Sequence, residues 1–167
     1  MAVAAVVVTG VVLRFVQRSP LWLDEALSVN IARLPLGDMF EALRHDGHPP
    51  FYYVLLHGWM EVFGESDFAV RALSGIFAVA SLPLAWIAGR RLAGRSGARW
   101  TLVVVALSPY AIRYATEARM YSMVMLLVLA GYLVLSDALV DPRPWRLAAL
   151  ALISGLLLLS HYWSFYL

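Results

Sequence analysis

The chain has 167 residues, of which 62% are hydrophobic and 14% are charged, and its formal net charge is +2. Ordinary soluble domains carry roughly 25% charged residues, so the composition excludes a soluble domain and favours a protein surrounded by lipid. All 13 basic residues are arginines scattered along the chain, and they form no basic patch for nucleic acid. The absence of cysteine excludes disulfides, thiolate catalysis and cysteine-ligated metals.

Five apolar segments approach the length of a membrane-spanning helix, which needs about 20 mostly apolar residues. They predict an all-α, polytopic transmembrane helix bundle, with residues 1–167 as a single transmembrane domain. The first segment lacks the basic start and the cleavage site of a signal peptide, so we interpret it as an uncleaved helix. The chain is still apolar at its last residues, and we expect it to be the N-terminal part of a larger protein. The segments are residues 1–17, 68–89, 100–115, 120–139 and 147–166.

Two short connections, residues 90–99 and 141–146, carry arginines. The positive-inside rule places both in the cytoplasm. Alternation then predicts a multi-pass protein of the cell membrane with a cytoplasmic N-terminus, a long outer loop over residues 18–67 and a tight outer turn at residues 116–119.

The outer loop has the pattern of juxtamembrane helices. Residues 21–34 have apolar side chains at helical spacing, and Pro35 ends that run. Asp38 has the position of an N-cap, with Glu41 three residues later as in a capping box. Residues 51–63 form another amphipathic run rich in aromatic side chains. These patterns predict helices that lie in the outer interface of the membrane.

Asp24 and Glu25 are adjacent acids in an apolar setting. Acids near a membrane cost free energy unless they are paired or used, which favours a functional site. The alternative is stabilisation of a helix start, where acids are favourable. Carboxylates also suit hard cations, so a divalent cation is conceivable. The sequence supplies no complete ligand set, and we predict no metal and no other cofactor.

Other candidate residues lie at the predicted outer ends of the helices. His48 precedes two prolines that would hold it rigidly; the alternative is a plain turn with a solvated imidazole. Arg119 has the fork geometry for a phosphate, although it could instead pair with Glu117 inside the turn. Arg71 opens the second span, where snorkelling to the interface is the alternative. His161 is interpreted as an anchor in the aromatic belt.

Four motifs in the chain resemble the C-type (GT-C) superfamily of membrane glycosyltransferases. The closest branch is the bacterial dolichyl-phosphate-mannose-protein mannosyltransferase-like proteins, which include lipid A-modifying transferases. Each motif alone is weak, but all four occur in order on the predicted outer side. Members usually have more helices, often ten or more, and a C-terminal part that helps to choose the acceptor. The motifs are Trp22-Leu-Asp-Glu25, His48-Pro-Pro-Phe-Tyr-Tyr53, Ala69-Val-Arg-Ala-Leu-Ser74 and Glu117-Ala-Arg-Met-Tyr121.

The resemblance implies transfer of a sugar from a polyprenyl-phosphate donor to a glycan, lipid or protein acceptor at the outer face. It implies Asp24 as the catalytic base and Glu25 as its partner. One base and direct displacement predict inversion at the anomeric carbon. Residues expected to support the donor phosphate or the catalytic loop are His48, Arg71, Glu117, Arg119 and Tyr121.

Two other functions remain open at this point. A transporter or flippase would also carry intramembrane charges, although here the polar groups lie at helix ends and not at the midplane. A non-catalytic membrane scaffold is the other alternative. The sequence does not specify the sugar, the acceptor or the oligomeric state.

Overall fold

The computed structural model describes residues 2–17 and 19–166. These residues form α-helices and one 3-10 helix and contain no strand, so the all-α prediction is confirmed. Met1, Arg18 and Leu167, which belong to the predicted first span, outer loop and chain end, lie outside the described residues. The helices are α1 (Ala2–Leu13), α2 (Leu23–Ala32), α3 (Leu36–Asp46), α4 (Phe51–Phe63), α5 (Asp67–Leu107), α6 (Pro109–Ala115), α7 (Tyr121–Val140), α8 (Pro144–Leu158) and the 3-10 helix η1 (Tyr162–Tyr166).

Helix α5 is a helical hairpin and not one straight rod. Ala93 and Gly94 have non-helical dihedral angles, and Gly94 has a φ of 65°, which glycine adopts without a steric penalty. A side-chain carbon placed on Gly89 would lie 2.5 Å from the Thr101 hydroxyl, yet these residues would be about 18 Å apart in a straight helix. The chain therefore reverses at Ala93–Gly94. This reversal separates the second and third predicted spans, as the sequence suggested.

The third predicted span is interrupted, which the sequence interpretation missed. Helix α5 ends at Leu107, and α6 begins at Pro109 after the non-helical Ser108. Proline has no N–H for the carbonyl four residues earlier, so the carbonyl of Val105 loses its helical partner. Arg14 replaces it, because its Nη2 donates to the Val105 oxygen and its Nη1 to the Ala106 oxygen, both at 2.7 Å.

Small residues let α1 approach α5 closely. A methyl group on Gly10 would collide with the backbone of Ala106, and one on Gly75 would collide with the ring of Phe15. Close approach at small residues is the usual way in which apolar helices pack in lipid. It brings Arg14 within reach of the end of α5.

The helices of residues 19–67 form a cap against α5 and α7. Helix α2 packs on α3 and α4, and α4 packs on α5. The main core cluster joins α2, α4, α5 and α7, and a smaller cluster joins α2, α3 and α4. The main cluster contains Val29, Ala32, Tyr52, Leu56, Met60, Val70, Leu73, Ala118, Met120 and Met123, and the smaller one contains Ile31, Met39, Leu43 and Tyr53.

Several predicted boundaries need correction. Asp38 is not an N-cap, because α3 starts at Leu36 with Pro35 as its N-cap. The preceding helix α2 ends at Ala32, three residues before Pro35. The fifth span stops at Leu158 instead of continuing through Tyr166, and α8 already begins at Pro144. The first span ends at Leu13. Helix α4 covers Phe51–Phe63, as predicted.

Two of the described helices, α5 and α7, are long and apolar enough to cross a membrane. Helices α1 and α8 are apolar but shorter, at 12 and 15 residues. The fold is therefore consistent with the location in a membrane that the composition predicted.

Candidate active site

The candidate site lies where the turn at residues 116–120, between α6 and α7, meets α2 and α4. Glu25 and Ser28 lie on the inner face of α2, and both are 1% exposed. Arg71 and Ser74 come from the first turns of α5. Three of the four sequence motifs therefore converge on the fourth, although they are far apart along the chain.

Glu25 and Arg71 form a buried ion pair. The Nε of Arg71 donates to Oε1 of Glu25 at 2.8 Å, and its Nη2 donates to Oε2 at 2.6 Å. The guanidinium also donates to the backbone oxygens of Ser19 and Pro20. Only 1% of Glu25 and 6% of Arg71 are exposed. The snorkelling alternative for Arg71 is therefore wrong, because the side chain points into the protein.

Two backbone N–H groups complete the surroundings of the Glu25 carboxylate. Ala118 N–H donates to Oε1 at 2.8 Å, and Trp22 N–H donates to Oε2 at 3.2 Å. Burial alone raises the pKa of Glu25, but hydrogen bonds from Arg71, Ala118 and Trp22 outweigh it and hold the pKa below its usual value. Glu25 is therefore ionised and ties α2, α5 and the turn together.

Glu117 does not pair with Arg119, which was the alternative considered for the turn. Its Oε1 accepts a hydrogen bond from Nε of Arg113, one helical turn earlier in α6, at 3.0 Å. Arg119 therefore remains without a carboxylate partner among the described residues.

Arg119 is a buried cation with an incomplete set of partners. It is 5% exposed. Its Nη1 donates to the Ser28 hydroxyl at 3.1 Å, its Nη2 lies 3.5 Å from Nε2 of His48, and its Nε has no partner among the described residues. A buried charge costs free energy unless an anion compensates it. The arrangement therefore favours an external anion beside Arg119.

The hydroxyl of Tyr53 is a second buried donor without a hydrogen-bond partner among the described residues. Burial raises the pKa of Tyr53, with opposing contributions from Ser28 and Arg119. The phenol therefore keeps its proton. We call Arg119, Ser28, Tyr53 and His48 the Arg119 cluster.

His48 connects the Arg119 cluster to α3. Its Nδ1 bonds to the carboxylate of Asp46, the last residue of α3. Pro49 and Pro50 follow, and the N–H of Phe51 donates to the backbone oxygen of Leu159 at 3.0 Å. The plain solvated turn is therefore wrong for His48, because both ring nitrogens face side chains of the protein.

Tyr121 and His161 lie on another side of Arg119. The guanidinium carbon of Arg119 is 5.8 Å from the centre of the Tyr121 ring, and that ring is 5.9 Å from the ring of His161. Burial, His48 and Arg119 lower the pKa of His161, so the imidazole is neutral at neutral pH. Its Nδ1 accepts from the N–H of Trp163, which leaves the proton on Nε2.

Asp24 differs from its neighbour. It lies in the first turn of α2 and is partly exposed, and its carboxylate makes no hydrogen bond or ion pair within the described residues. It is close enough to Arg119 to influence it electrostatically. Its backbone oxygen accepts from the Ser28 hydroxyl. Of the two acids, Asp24 is the one with a free carboxylate.

The two acids do not form a shared cation site as they stand. Both oxygens of Glu25 face N–H donors, so a bridging cation would have to displace Arg71. No group of three or more candidate metal ligands occurs among the described residues. That no metal is used stays a prediction.

Sequence reasoning missed three contributors to this region: Arg14, Ser28 and Asp46 as the partner of His48. A charge at the end of an apolar segment was the available signal for Arg14. For Ser28 the available signal was its spacing, because it follows Asp24 by one helical turn. The spacing of Asp46 and His48 was visible too, but the tertiary contact between His48 and Arg119 was not.

The architecture and the site together define a helical membrane protein with a buried arginine beside a free carboxylate. A family model described as dolichyl-phosphate-mannose-protein mannosyltransferase matches residues 47–167. The match covers more than half of the chain, so the chain belongs to this family, whose members are membrane glycosyltransferases of the GT-C type. A search of curated proteins found no match, and neither did a search of solved structures.

The matched range contains His48, Arg71 and the turn from Glu117 to Tyr121, whereas Asp24 and Glu25 precede it. The structure nevertheless brings the acids to the matched residues, because Ala118 binds Glu25 and Arg119 binds Ser28. Family membership favours glycosyltransferase activity over the transporter and scaffold alternatives. It implies a lipid-linked sugar donor and an acceptor.

Proposed function

We propose that this chain contributes the catalytic region of a glycosyltransferase that uses a polyprenyl-phosphate-linked sugar at the outer face of the cell membrane. The observation that carries the proposal is the position of Arg119 beside Asp24. Arg119 is a buried cation, and among the described residues neither it nor the Asp24 carboxylate has an ion-pair partner. A phosphate group supplies the anion that Arg119 lacks, and a guanidinium stabilises the charge that develops on a departing phosphate.

Asp24 has the role of general base in this proposal. The oxygen of an acceptor hydroxyl attacks the anomeric carbon, and its proton moves to the Asp24 carboxylate. The bond between the anomeric carbon and the phosphate oxygen breaks, and its electron pair leaves with the phosphate beside Arg119. A single displacement of this kind inverts the anomeric configuration, so the product configuration is a direct check.

Glu25 and Arg71 support the site without touching the substrate. Their side chains are occupied with each other and with backbone groups. They hold α2 against the turn, and thereby hold Asp24 beside Arg119. Glu117 also supports the site without touching the substrate, because its carboxylate is bonded to Arg113 of α6.

An apolar cleft lies beside the Arg119 cluster and suits a lipid chain. It has a volume of about 580 Å³ and shares His48 with that cluster. A polyprenyl chain in the cleft would keep its phosphate end near His48. Its lining includes Leu43, Pro49, Pro50, Leu158, Leu159 and Phe165.

The membrane orientation is also part of the proposal. One end of the α5 hairpin carries the candidate site, which is formed by the turn 116–120 and helices α2 to α4. The arginines at the Ala93–Gly94 reversal lie at the opposite end of this hairpin. The positive-inside rule then places the reversal in the cytoplasm and the site on the outer face, with the N-terminus inside.

The experiment is sugar transfer from a panel of polyprenyl-phosphate sugars by the full-length protein in membranes. Wild type is compared with Asp24→Asn and with Asp38→Asn, a matched exposed acid in the same loop. We expect transfer by wild type and Asp38→Asn and loss of transfer in normally expressed Asp24→Asn. Survival of transfer in Asp24→Asn would overturn Asp24 as the base, and Glu117 would be examined next. No transfer from any donor would overturn the reaction itself.

A further inference from the structure

Asp46 and His48 form a dyad that faces Arg119. Asp46 ends α3, and the left-handed Gly47 (φ of 81°) turns the chain so that His48 folds back onto it. The Asp46 carboxylate bonds to Nδ1 of His48, and Nε2 of the same ring lies 3.5 Å from Nη2 of Arg119. The three side chains therefore form a continuous series from the surface to the buried cation.

The chemistry of the dyad sets the position of the proton on His48. An ionised carboxylate only accepts hydrogen bonds, so Nδ1 of His48 must carry the proton. In a neutral imidazole the other nitrogen then has a free lone pair, which is an acceptor for an N–H of Arg119. If Nε2 of His48 carried the proton instead, its N–H would face an N–H of Arg119, and the two groups could not form a hydrogen bond.

We propose that Asp46 is a positioning residue that acts through His48. It fixes the His48 tautomer whose Nε2 accepts from Arg119, and so holds the guanidinium in the orientation that receives the donor phosphate. Asp46 does not touch the substrate. The expected effect of Asp46 on the rate of sugar transfer rests on the proposed function. The tautomer of His48 does not depend on any activity and can be tested separately.

Other groups around Arg119 do not replace this contact. The Ser28 hydroxyl accepts from Nη1, and the centre of the Tyr121 ring lies 5.8 Å from the guanidinium carbon. The Tyr53 hydroxyl has no hydrogen-bond partner among the described residues. Within that part of the chain, His48 is the group placed against Nη2.

The first test is sugar transfer by the full-length protein with Asp46→Ala, with Asp46→Glu and with Asp38→Ala as the control. Asp38 is exposed in the first turn of the same helix. Carboxylates that orient metal-ligating histidines typically contribute about tenfold to a hundredfold to activity, and we expect an effect of the same size for a carboxylate that orients His48. We expect kcat to fall by roughly that factor in Asp46→Ala, with the KM for the acceptor unchanged and with partial recovery in Asp46→Glu. Rates equal to the control would overturn the proposal.

The second test does not depend on the reaction. Side-chain ¹⁵N NMR of labelled full-length protein in detergent reports which nitrogen of His48 is protonated, with His48→Gln used to assign the signals. We expect the Nδ1–H form in wild type and a mixture of tautomers in Asp46→Ala. The Nε2–H form in wild type, or the same signals in both proteins, would overturn the dyad. A confirmed tautomer together with no transfer from any donor would contradict the proposed function alone.

Discussion

Glu25 and Arg71, which are 46 positions apart, are joined by two hydrogen bonds of 2.6 and 2.8 Å in the interior of the protein. The pair links α2 in the cap to the start of the α5 hairpin. Because Ala118 N–H binds the same carboxylate, one side chain holds three parts of the candidate site together.

Glu25→Gln should therefore destabilise the protein strongly. The substitution leaves the Arg71 charge buried without compensation, and breaking such pairs typically costs about 3–5 kcal/mol. The measurement is thermal unfolding of the purified protein in detergent. Glu65→Gln is the control, because the Arg33–Glu65 pair is half exposed and should contribute at most about 1 kcal/mol. Equal Tm values for the two variants would contradict the role of the buried pair.

The same carboxylate should make stability depend on pH in acid. The folded-state pKa of Glu25 is lower than its usual value of 4.5, so the unfolded chain binds a proton first as the pH falls. The stabilisation is fully present above pH 4.5 and is lost progressively below it, down to the folded-state pKa. Tm measured between pH 3 and pH 7 should fall more steeply below that value in wild type than in Glu25→Gln. Parallel curves would contradict the assignment.

Arg119→Lys should impair catalysis more than folding. A lysine keeps the charge but cannot reach Ser28, His48 and a phosphate with a planar fork. Loss of one donor that stabilises developing charge costs roughly 100-fold to 1,000-fold in rate, and we expect a loss of kcat/KM of about that size for the lipid-linked donor. Arg33→Lys at the exposed pair serves as the control. Wild-type kinetics with Arg119→Lys would show that Arg119 does not bind the reacting phosphate.

Close packing of α1 on α5 predicts opposite effects for two glycine substitutions. Gly10→Ala would place a methyl group against the backbone of Ala106, whereas no described residue lies within 4 Å of a carbon added at Gly155 in α8. We expect Gly10→Ala to lower stability by about 1–3 kcal/mol. Gly155→Ala should leave stability unchanged or raise it by up to about 1 kcal/mol, since alanine favours helix. Unfolding temperatures in the same detergent decide between these outcomes.

Arg14 and Pro109 should be energetically coupled. Arg14 supplies hydrogen bonds to the carbonyls of Val105 and Ala106, and Pro109→Ala would restore an N–H that can serve Val105. Arg14→Met should therefore destabilise wild type more than it destabilises Pro109→Ala. Neighbouring residues in such cycles typically show coupling of about 0.5–3 kcal/mol. Additive effects on Tm would exclude the link.

The order of the helices and the convergence of the four motifs could be predicted from the sequence. Periodicity identified the segments, and the bounds of α4 were correct. The break at Ser108 was missed because an apolar run hid the one proline in it, whose effect depends on the missing N–H and not on hydropathy. The prediction of Asp38 as an N-cap was wrong because Pro35 has that position and the helix begins at Leu36.

The roles of the acids could not be separated from sequence alone. Asp24 and Glu25 are adjacent in a helix, so their side chains point about 100° apart, and only the tertiary packing shows that Glu25 faces inward. The partner of Glu117 was also undetermined, because both Arg113 and Arg119 are within reach along the chain. Which arginine remained available for a phosphate depended on that choice.

The contact between Arg14 and the end of α5 has a consequence for biosynthesis. The two partner carbonyls lie 91 and 92 positions after the arginine, so α1 leaves the ribosome long before they exist. The third carbonyl that accepts from this guanidinium, that of Gly10, is only four positions before it. The contact that holds Arg14 against the end of α5 can therefore form only after both elements have been synthesised.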